Sequence, residues 1–515
     1  MKSCNSKFKT VFFLAMLFFG LFGLAKSSEA VYPVAGQRKF LLTGFLFTFF
    51  IFFAGLIFAS PAYGAEYYVS PTDSLATAVS QLQPGDTLIL RDGTYYQSLN
   101  ITVSGTAGNP ITIKAEHDGL AIVDGQNARE PFRIEGTGGS HKTDITVEGI
   151  VFKNSNDSVV IVHYADRINL KRVSGYNALV DGNTHIFDLW YVTSTLLEDC
   201  VASGTGRVMI NVLDSDMVKI RRCYTRWTQY TGAYGMGWGV QIYGTPNSIV
   251  ENCVAIKTVS GNAGGIAIWS HTYSAPSDDN KIYGNVVILN DDYVGYWIGS
   301  AIKNITGNQF VNNVVINTAT GFQQRADDGL LISNLTSVSV SGNHFEMSED
   351  TSDEQDLDFK INTNLKNSSF LTTGTGIVKG TSNHTDSFLH TYNNLYNLNA
   401  NYSGTTQGTG EIFVNPVYDI STYGNGAYLT VPTALVGQGE SGGDIGAKVL
   451  YRYVDGVLTG TALWPWPMEQ RICNETGYSV TYENSCANGG GIWKTLDGVY
   501  ADTTPPAAPQ GLTVN

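Results

Sequence analysis

Basic residues are scarce in this chain: 31 Lys and Arg face 45 Asp and Glu in 515 residues, a formal net charge of −14. Nucleic acids and anionic membrane surfaces attract basic patches, so neither suits this chain as a partner. An anionic polysaccharide remains a partner only where basic residues or bound cations gather locally. Cysteine is sparse too, six residues with no CxxC or Cys/His spacing, which removes a zinc module from consideration. Helical periodicity is almost missing, and with it the helical repeat folds. What the chain has instead is 56 Gly and a succession of short β-branched runs separated by Gly, Asn, Asp and Ser.

Those runs repeat. Equivalent positions recur every 23 to 32 residues at Ile150, Val173, Cys200, Cys223, Cys253, Asn285, Asn313 and Asn343, each closing a short strand. A period in that range with β-type units predicts a solenoid of stacked coils of parallel strands. Stacking sets like above like, which accounts for consecutive Cys and then Asn on one rung. Asn there can hydrogen-bond to its neighbours above and below, and Cys serves as a small buried hydrophobe.

The flanks read differently. Two apolar runs, 11–25 and 40–59, each follow basic residues, and the second leads into "SPAYGAEYYV" with Ala62 and Gly64 as the small −3 and −1 pair of an export signal. Residues 1–64 are therefore expected to be a targeting region, and the mature protein to be secreted or held at the cell surface as a monomer, without a stable membrane span. The alternative is a pair of membrane helices, since the second run has 20 residues; a translation start near Val31 or Val34 is a further possibility. Ser74 to Gln81 reads as a short helix with Asp73 or Ser74 as N-cap, covering the first coil. Between Glu346 and Gly374 the repeat dissolves into an acidic, Ser/Thr-rich stretch that predicts a loop excursion. Residues 448–500 are too aromatic for a linker and are expected to cap the last coil, with Cys473 and Cys486 able to close a small disulfide loop.

The phrases "AVSQLQPGDTLILRDGTYY", "GNPITIKAEHDGLAIVDG", "NPVYD", "YLTVPTALVGQG" and "GGDIGA" resemble the opening and closing coils of secreted right-handed parallel β-helix proteins of the pectate-lyase-like superfamily. That resemblance implies an all-β fold, a right-handed single-stranded parallel β-helix over 65–447 with a short N-terminal capping helix. It implies no one activity, because the superfamily houses lyases, hydrolases, epimerases and noncatalytic adhesins. The paired-Asp and Gly-His-Gly pattern of its hydrolases, the Asp-Pro-His-Asp signature of alginate epimerases and the Arg-x-Pro-x-x-Arg segment of pectate lyases are missing, so no catalytic residue carries over. Residues 501–515, "ADTTPPAAPQGLTVN", resemble a Pro-rich hinge entering the first strand of a fibronectin type III module.

A second register maps a surface. Taking alternate residues of the strands that follow each rung gives an outward row Val162, Trp190, Asn211, Tyr243, Trp269, Gly299, Arg325 and a companion row Val160, Asp188, Met209, Gln241, Ala267, Trp297, Gln323. Flat rings suit the apolar faces of sugars, so Trp190, Tyr243, Trp269, Trp297 and Gln241 are candidate substrate-binding residues, with packing under the loops 225–239 and 270–280 as the alternative. For elimination at a uronate, His271 is the candidate base, Lys257 a weaker one, and Arg325 the candidate carboxylate partner. Hydrolysis would need two carboxyl groups across the bond. Asp278 and Asp279, Asp291 and Asp292, and Asp327 and Asp328 are candidate ligands for Ca²⁺, with turn capping as the competing role. The expected function is a polysaccharide lyase-like enzyme; a glycan-binding adhesin and a glycoside hydrolase are the alternatives.

Overall fold

One strand on each of three faces completes a turn of this solenoid. The computed structural model describes residues 64–477 apart from 230–231, 258, 260, 271–274, 290, 292, 301–304, 349–360 and 381–386. One turn runs through Leu196–Glu198, Val201–Gly204 and Val208–Leu213; the next runs through Lys219–Arg221, Tyr224–Trp227 and Trp238–Tyr243. Each strand pairs in parallel with its counterpart, Leu197 with Ile220, Val201 with Tyr224 and Asn211 with Gln241. About 11 turns stack this way. We call the three faces the third sheet, the ladder sheet and the groove sheet, in the order of that turn. Among the described residues no helix is long and apolar enough to cross a membrane.

The predicted rungs lie just ahead of the ladder sheet, and their side chains fill the core. Cys200, Cys223 and Cys253 occupy successive turns as buried free thiols. Asn285 and Asn313 follow on the next turns, and their amides bond mainly to backbone: Asn285 Nδ2 donates to Val250 O at 2.9 Å, and Asn285 Oδ1 accepts from Cys253 N at 2.8 Å. The last predicted rung is corrected. Thr336 pairs with Val314, so Leu335 occupies the rung after Asn313, whereas Asn343 pairs with Thr320 in the groove sheet. The rung spacing falls there to 22 residues (335 minus 313). Strands Val314–Gln324 and Thr336–Met347 run without a break from the ladder sheet into the groove sheet, where earlier turns insert a loop. The expected excursion after Glu346 is also narrower: Asn362–Lys366 and Ser369–Leu371 return to the sheets.

Helix Leu75–Gln81 covers the open first turn, as its cap signals predict. Ser74 Oγ accepts from Thr77 N at 3.2 Å, and Leu75 and Val79 are buried.

The segment after 440 departs from its expected place. It does not close the last coil but runs back along the outside of the ladder sheet as a strap. The residue before each rung takes a left-handed conformation, including Asn252 (φ 52°), Asn312 (φ 60°), Asn334 (φ 55°) and Asn367 (φ 51°), which Asn tolerates well. Their side chains grip the strap backbone. Asn367 Oδ1 accepts from Glu440 N at 2.8 Å, Asn334 Nδ2 donates to Asp444 O at 2.9 Å, Asn312 Nδ2 donates to Lys448 O at 2.8 Å, and Asn252 bonds to Tyr451 O and Tyr453 N. Beyond the antiparallel hairpin Tyr451–Val454 and Val457–Ala462, helix Glu469–Thr476 reaches early turns, where Arg471 Nη1 donates to Arg172 O at 2.6 Å. Cys473 lies on that helix; its predicted partner Cys486 and residues 501–515 lie outside the described residues.

Candidate functional site

The outer face of the groove sheet carries three rows of side chains along the solenoid axis. The first is His185, Val208, Trp238, Gly264; the middle is Asp188, Asn211, Gln241, Ala267, Trp297, Gln323; the last is His163, Trp190, Leu213, Tyr243, Trp269, Gly299. Arg325 continues the last row past Gln324. From Gln241 and Tyr243 onward this is the predicted register. Upstream it needs correction: His163 takes the place given to Val162, Ile161 that of Val160, Asn211 joins the middle row in place of Met209, and Leu213 stands in the last row. In both strands two consecutive apolar residues face the core, Val159 with Val160 and Met209 with Ile210, so in-out alternation starts later than the apolar run does.

These rows floor a groove of about 470 Å³. Five predicted residues line it together: Gln241, Tyr243, Trp269, Trp297 and Arg325. Each is half-buried. Trp190 lies beyond the groove, stacked on Tyr191 at 5.3 Å and edge-on to His163 at 5.5 Å.

The centre of the groove is an indole stack that depends on glycine. Trp297 lies between Trp269, at 4.8 Å and 20°, and Trp238, at 5.7 Å and 22°. A Cβ at Gly264 would come within 2.0 Å of the Trp238 ring, and one at Gly299 within 2.7 Å of Trp297. A second set of glycines faces inward at the start of the same strands. A Cβ at Gly265 would meet Val287 at 2.4 Å, and one at Gly295 would meet Val315 at 2.3 Å, so the two sheets approach closely only because these side chains are missing. The sequence displays this signal as "GGIAIW" and "VGYWIG", and the rung-based reading passed over it.

Beside Gln241 and Arg325, the groove carries polar residues that the sequence reading does not single out as site residues. Arg207, His185, Asn183 and Asn211 line the groove. Arg207 Nη1 donates to Asn183 Oδ1 at 2.7 Å. His185 is buried beside it, and its Nδ1 has no hydrogen-bond partner. Burial lowers the pKa of His185, and the Arg207 charge works in the same direction. Behind the rim, Asp188 contacts His163 Nε2 at 3.1 Å and accepts from Asn211 Nδ2 at 3.1 Å. Burial alone would raise the Asp188 carboxyl; the His163 bond and the His185 and His163 charges outweigh it and hold the group below the usual range.

Other candidates lie elsewhere. Lys257 is fully buried, with its ammonium bonded to Gly261 O inside the turn, and does not line the groove. It is neither the solvated side chain nor the groove base considered from sequence. His271 and Asp292 lie outside the described residues. Of the remaining aspartates, Asp279 (φ 55°), Asp291 (φ 52°) and Asp327 (φ 108°) are left-handed, and Asp328 opens the strand Asp328–Ser333. Asp278 Oδ1 accepts from Thr306 N at 2.7 Å, Asp327 Oδ2 accepts from Asn308 Nδ2 at 2.6 Å, and Asp328 accepts from Asn362. Burial pushes the Asp327 carboxyl well above its ordinary range, with the Asp278 and Asp328 charges adding to it. Among the described residues, the three potential ligands that do converge are Asp92, Glu116 and His117, all exposed and away from the groove. The described aspartates therefore do not fit a groove Ca²⁺ site.

Residues 69–190 match the family model described as Chondroitinase B. No curated protein matches. Among solved structures, the chain is similar to a mannuronic acid specific polysaccharide family 6 lyase from human gut microbiota, at 15% identity over 68% of this chain and 92% of that one, TM-score 0.43. It is also similar to the A-module of a mannuronan C-5 epimerase from Azotobacter vinelandii, at 13% identity over 66% and 91%, TM-score 0.46. A third is a PL6 family polysaccharide lyase from Pseudopedobacter saltans, at 14% identity over 74% and 99%, TM-score 0.44. The family match ends at Trp190, before Arg207 and the indole stack.

Proposed function

We propose that this chain acts on an extracellular, uronate-bearing polysaccharide as a lyase-like enzyme. The observation that carries the reading is the charge of the groove. In a chain of net charge −14, its lining includes Arg207 and Arg325 and contains no Asp or Glu among the described residues. A basic, aromatic cleft on an acidic protein favours an anionic sugar chain, with guanidinium groups to meet carboxylates and indoles to stack on ring faces. Elimination also requires that a carboxylate be neutralised before the adjacent proton can leave. Hydrolysis instead needs two carboxyl groups roughly 5–9.5 Å apart across the scissile bond, and this lining supplies neither. The partial match to the Chondroitinase B family model supports carbohydrate chemistry on this scaffold. Ca²⁺ is given no step here.

Incubation with pectate, alginate, glycosaminoglycans and neutral glucans, with and without Ca²⁺, tests the reading. Ultraviolet absorbance of an unsaturated product should rise on a uronate polymer and stay flat on neutral glucans. Binding without new chain ends would favour the adhesin; reducing ends without unsaturated product would favour the hydrolase.

A further inference from the structure

We propose that His185 and Arg207 form the subsite that takes a sugar carboxylate in this groove, an inference that rests on the uronate reading above and specifies where the charge docks. Register brings the two together. His185 pairs with Val208, so Arg207 flanks the imidazole from the following turn. Both line the groove at the end of the first row, across the floor from Arg325 at the end of the last row. Arg207 is half-buried and already oriented by Asn183, an arrangement that leaves the remaining guanidinium donors for a planar acceptor.

His185 supplies the independent observation. Its side chain is more than nine-tenths buried, makes no hydrogen bond among the described residues, and faces the groove. The unpaired Nδ1 has almost no accessible surface, so an incoming carboxylate meets Arg207 directly and acts on the imidazole through its charge. The charged and titratable groups around it are Asp188, Asp157, Arg207 and His163. Burial favours the neutral imidazole in the free protein; Asp188 and Asp157 oppose it, and Arg207 and His163 add to it. A carboxylate on Arg207 offsets that guanidinium charge, so binding should raise the His185 pKa. By linkage, an acidic sugar must then bind with proton uptake and bind more tightly as pH falls below the ordinary histidine range toward the lowered free-protein value. A neutral sugar must not.

The test is calorimetric titration of the full chain with hexagalacturonate, hexamannuronate and, as neutral control, maltohexaose, in buffers of different ionisation enthalpy between pH 5.5 and 8, at a temperature where turnover is negligible. Wild type should take up protons with an acidic hexamer. His185→Gln should abolish the uptake, and Arg207→Lys should weaken acidic binding by about tenfold, the size of one lost charge-assisted bond; neither should alter maltohexaose. Melting curves establish that both variants are folded, and Arg207, being half-exposed, gives the safer one. If an acidic hexamer binds wild type and both folded variants alike, the subsite is overturned while the uronate reading stands. If neither acidic hexamer binds wild type, the uronate reading falls and takes this subsite with it.

Discussion

Two outer faces of the solenoid carry large apolar side chains, and the chain treats them oppositely. On the ladder sheet, Val201, Tyr224, Val254, Ile256, Val286 and Ile288 point outward yet are buried, because the strap lays Leu429, Val449, Leu463, Trp464 and Trp466 over them. On the groove sheet, Tyr243, Trp269 and Trp297 also point outward but stay half-buried, packed on one another. The strap shows that the sequence can cover such a face, with an asparagine row to hold the cover in register. Indoles left wet beside arginines thus mark the groove as the face kept open for something else.

The largest test of this contrast is to damage the covered side. Trp464 is buried in the second core, and its Nε1 donates to Val449 O at 2.8 Å. Trp464→Ala should destabilise the protein by about 3–5 kcal/mol, seen as a lower Tm. Affinity for the polysaccharide, measured well below that Tm, should be unchanged. If affinity fell in parallel with stability, the two faces would be coupled and the contrast between cover and site would fail.

The converse test is Trp269→Ala on the open side. Its ring stacks on Trp297 and is half-buried, and removing it should weaken sugar binding by about 1 kcal/mol, with a smaller loss of Tm than Trp464→Ala gives. A variant that binds every glycan normally but melts much earlier would make the indole stack packing rather than platform.

These two faces were not equally legible in the sequence. Rungs of Cys and Asn stand out because stacked coils repeat their residues, and from Gln241 on the groove rows follow from counting because each strand alternates cleanly. Counting failed at Val160 and Met209, where apolar residues face the core in succession and conceal where alternation begins. His185 and Arg207 were passed over for another reason: they are 22 residues apart (207 minus 185), and only the pairing of their turns makes them neighbours. The strap was misplaced because its composition says that it packs, not on what. The signal for its true place is the row of Asn one residue before the rungs, at 252, 312, 334 and 367, which reads from sequence alone as turn chemistry.

The smallest effect concerns how the strap is latched, and it separates the two faces by pH. Asp455 accepts from Lys219 Nζ at 2.8 Å and Arg221 Nη2 at 2.7 Å, and Asp455 N and Gly456 N donate to the buried Glu251 carboxylate. The Lys219 hydrogen bond, outweighing a modest burial effect and aided by the Lys219 and Arg221 charges, holds the Asp455 carboxyl below its usual range. A depressed folded-state pKa means that the contribution is fully present above the unfolded value of about 3.9 and is lost as pH falls through the folded one. The side chain is more than half exposed, so solvent screens the pair and the contribution should be only about 0.2–1 kcal/mol. Asp455→Asn should therefore melt slightly below wild type at pH 7, and the gap should close as pH falls below the ordinary carboxylate range through the depressed folded-state value, where wild type loses the same charge. High salt should close it too. Because Asp455 does not line the groove, the substitution should leave polysaccharide affinity at pH 7 untouched. A gap that did not narrow with falling pH and was unmoved by high salt would assign the Asp455 contribution to packing or hydrogen bonding independent of charge, and the strap would then be held by its apolar face and asparagine row without an electrostatic latch.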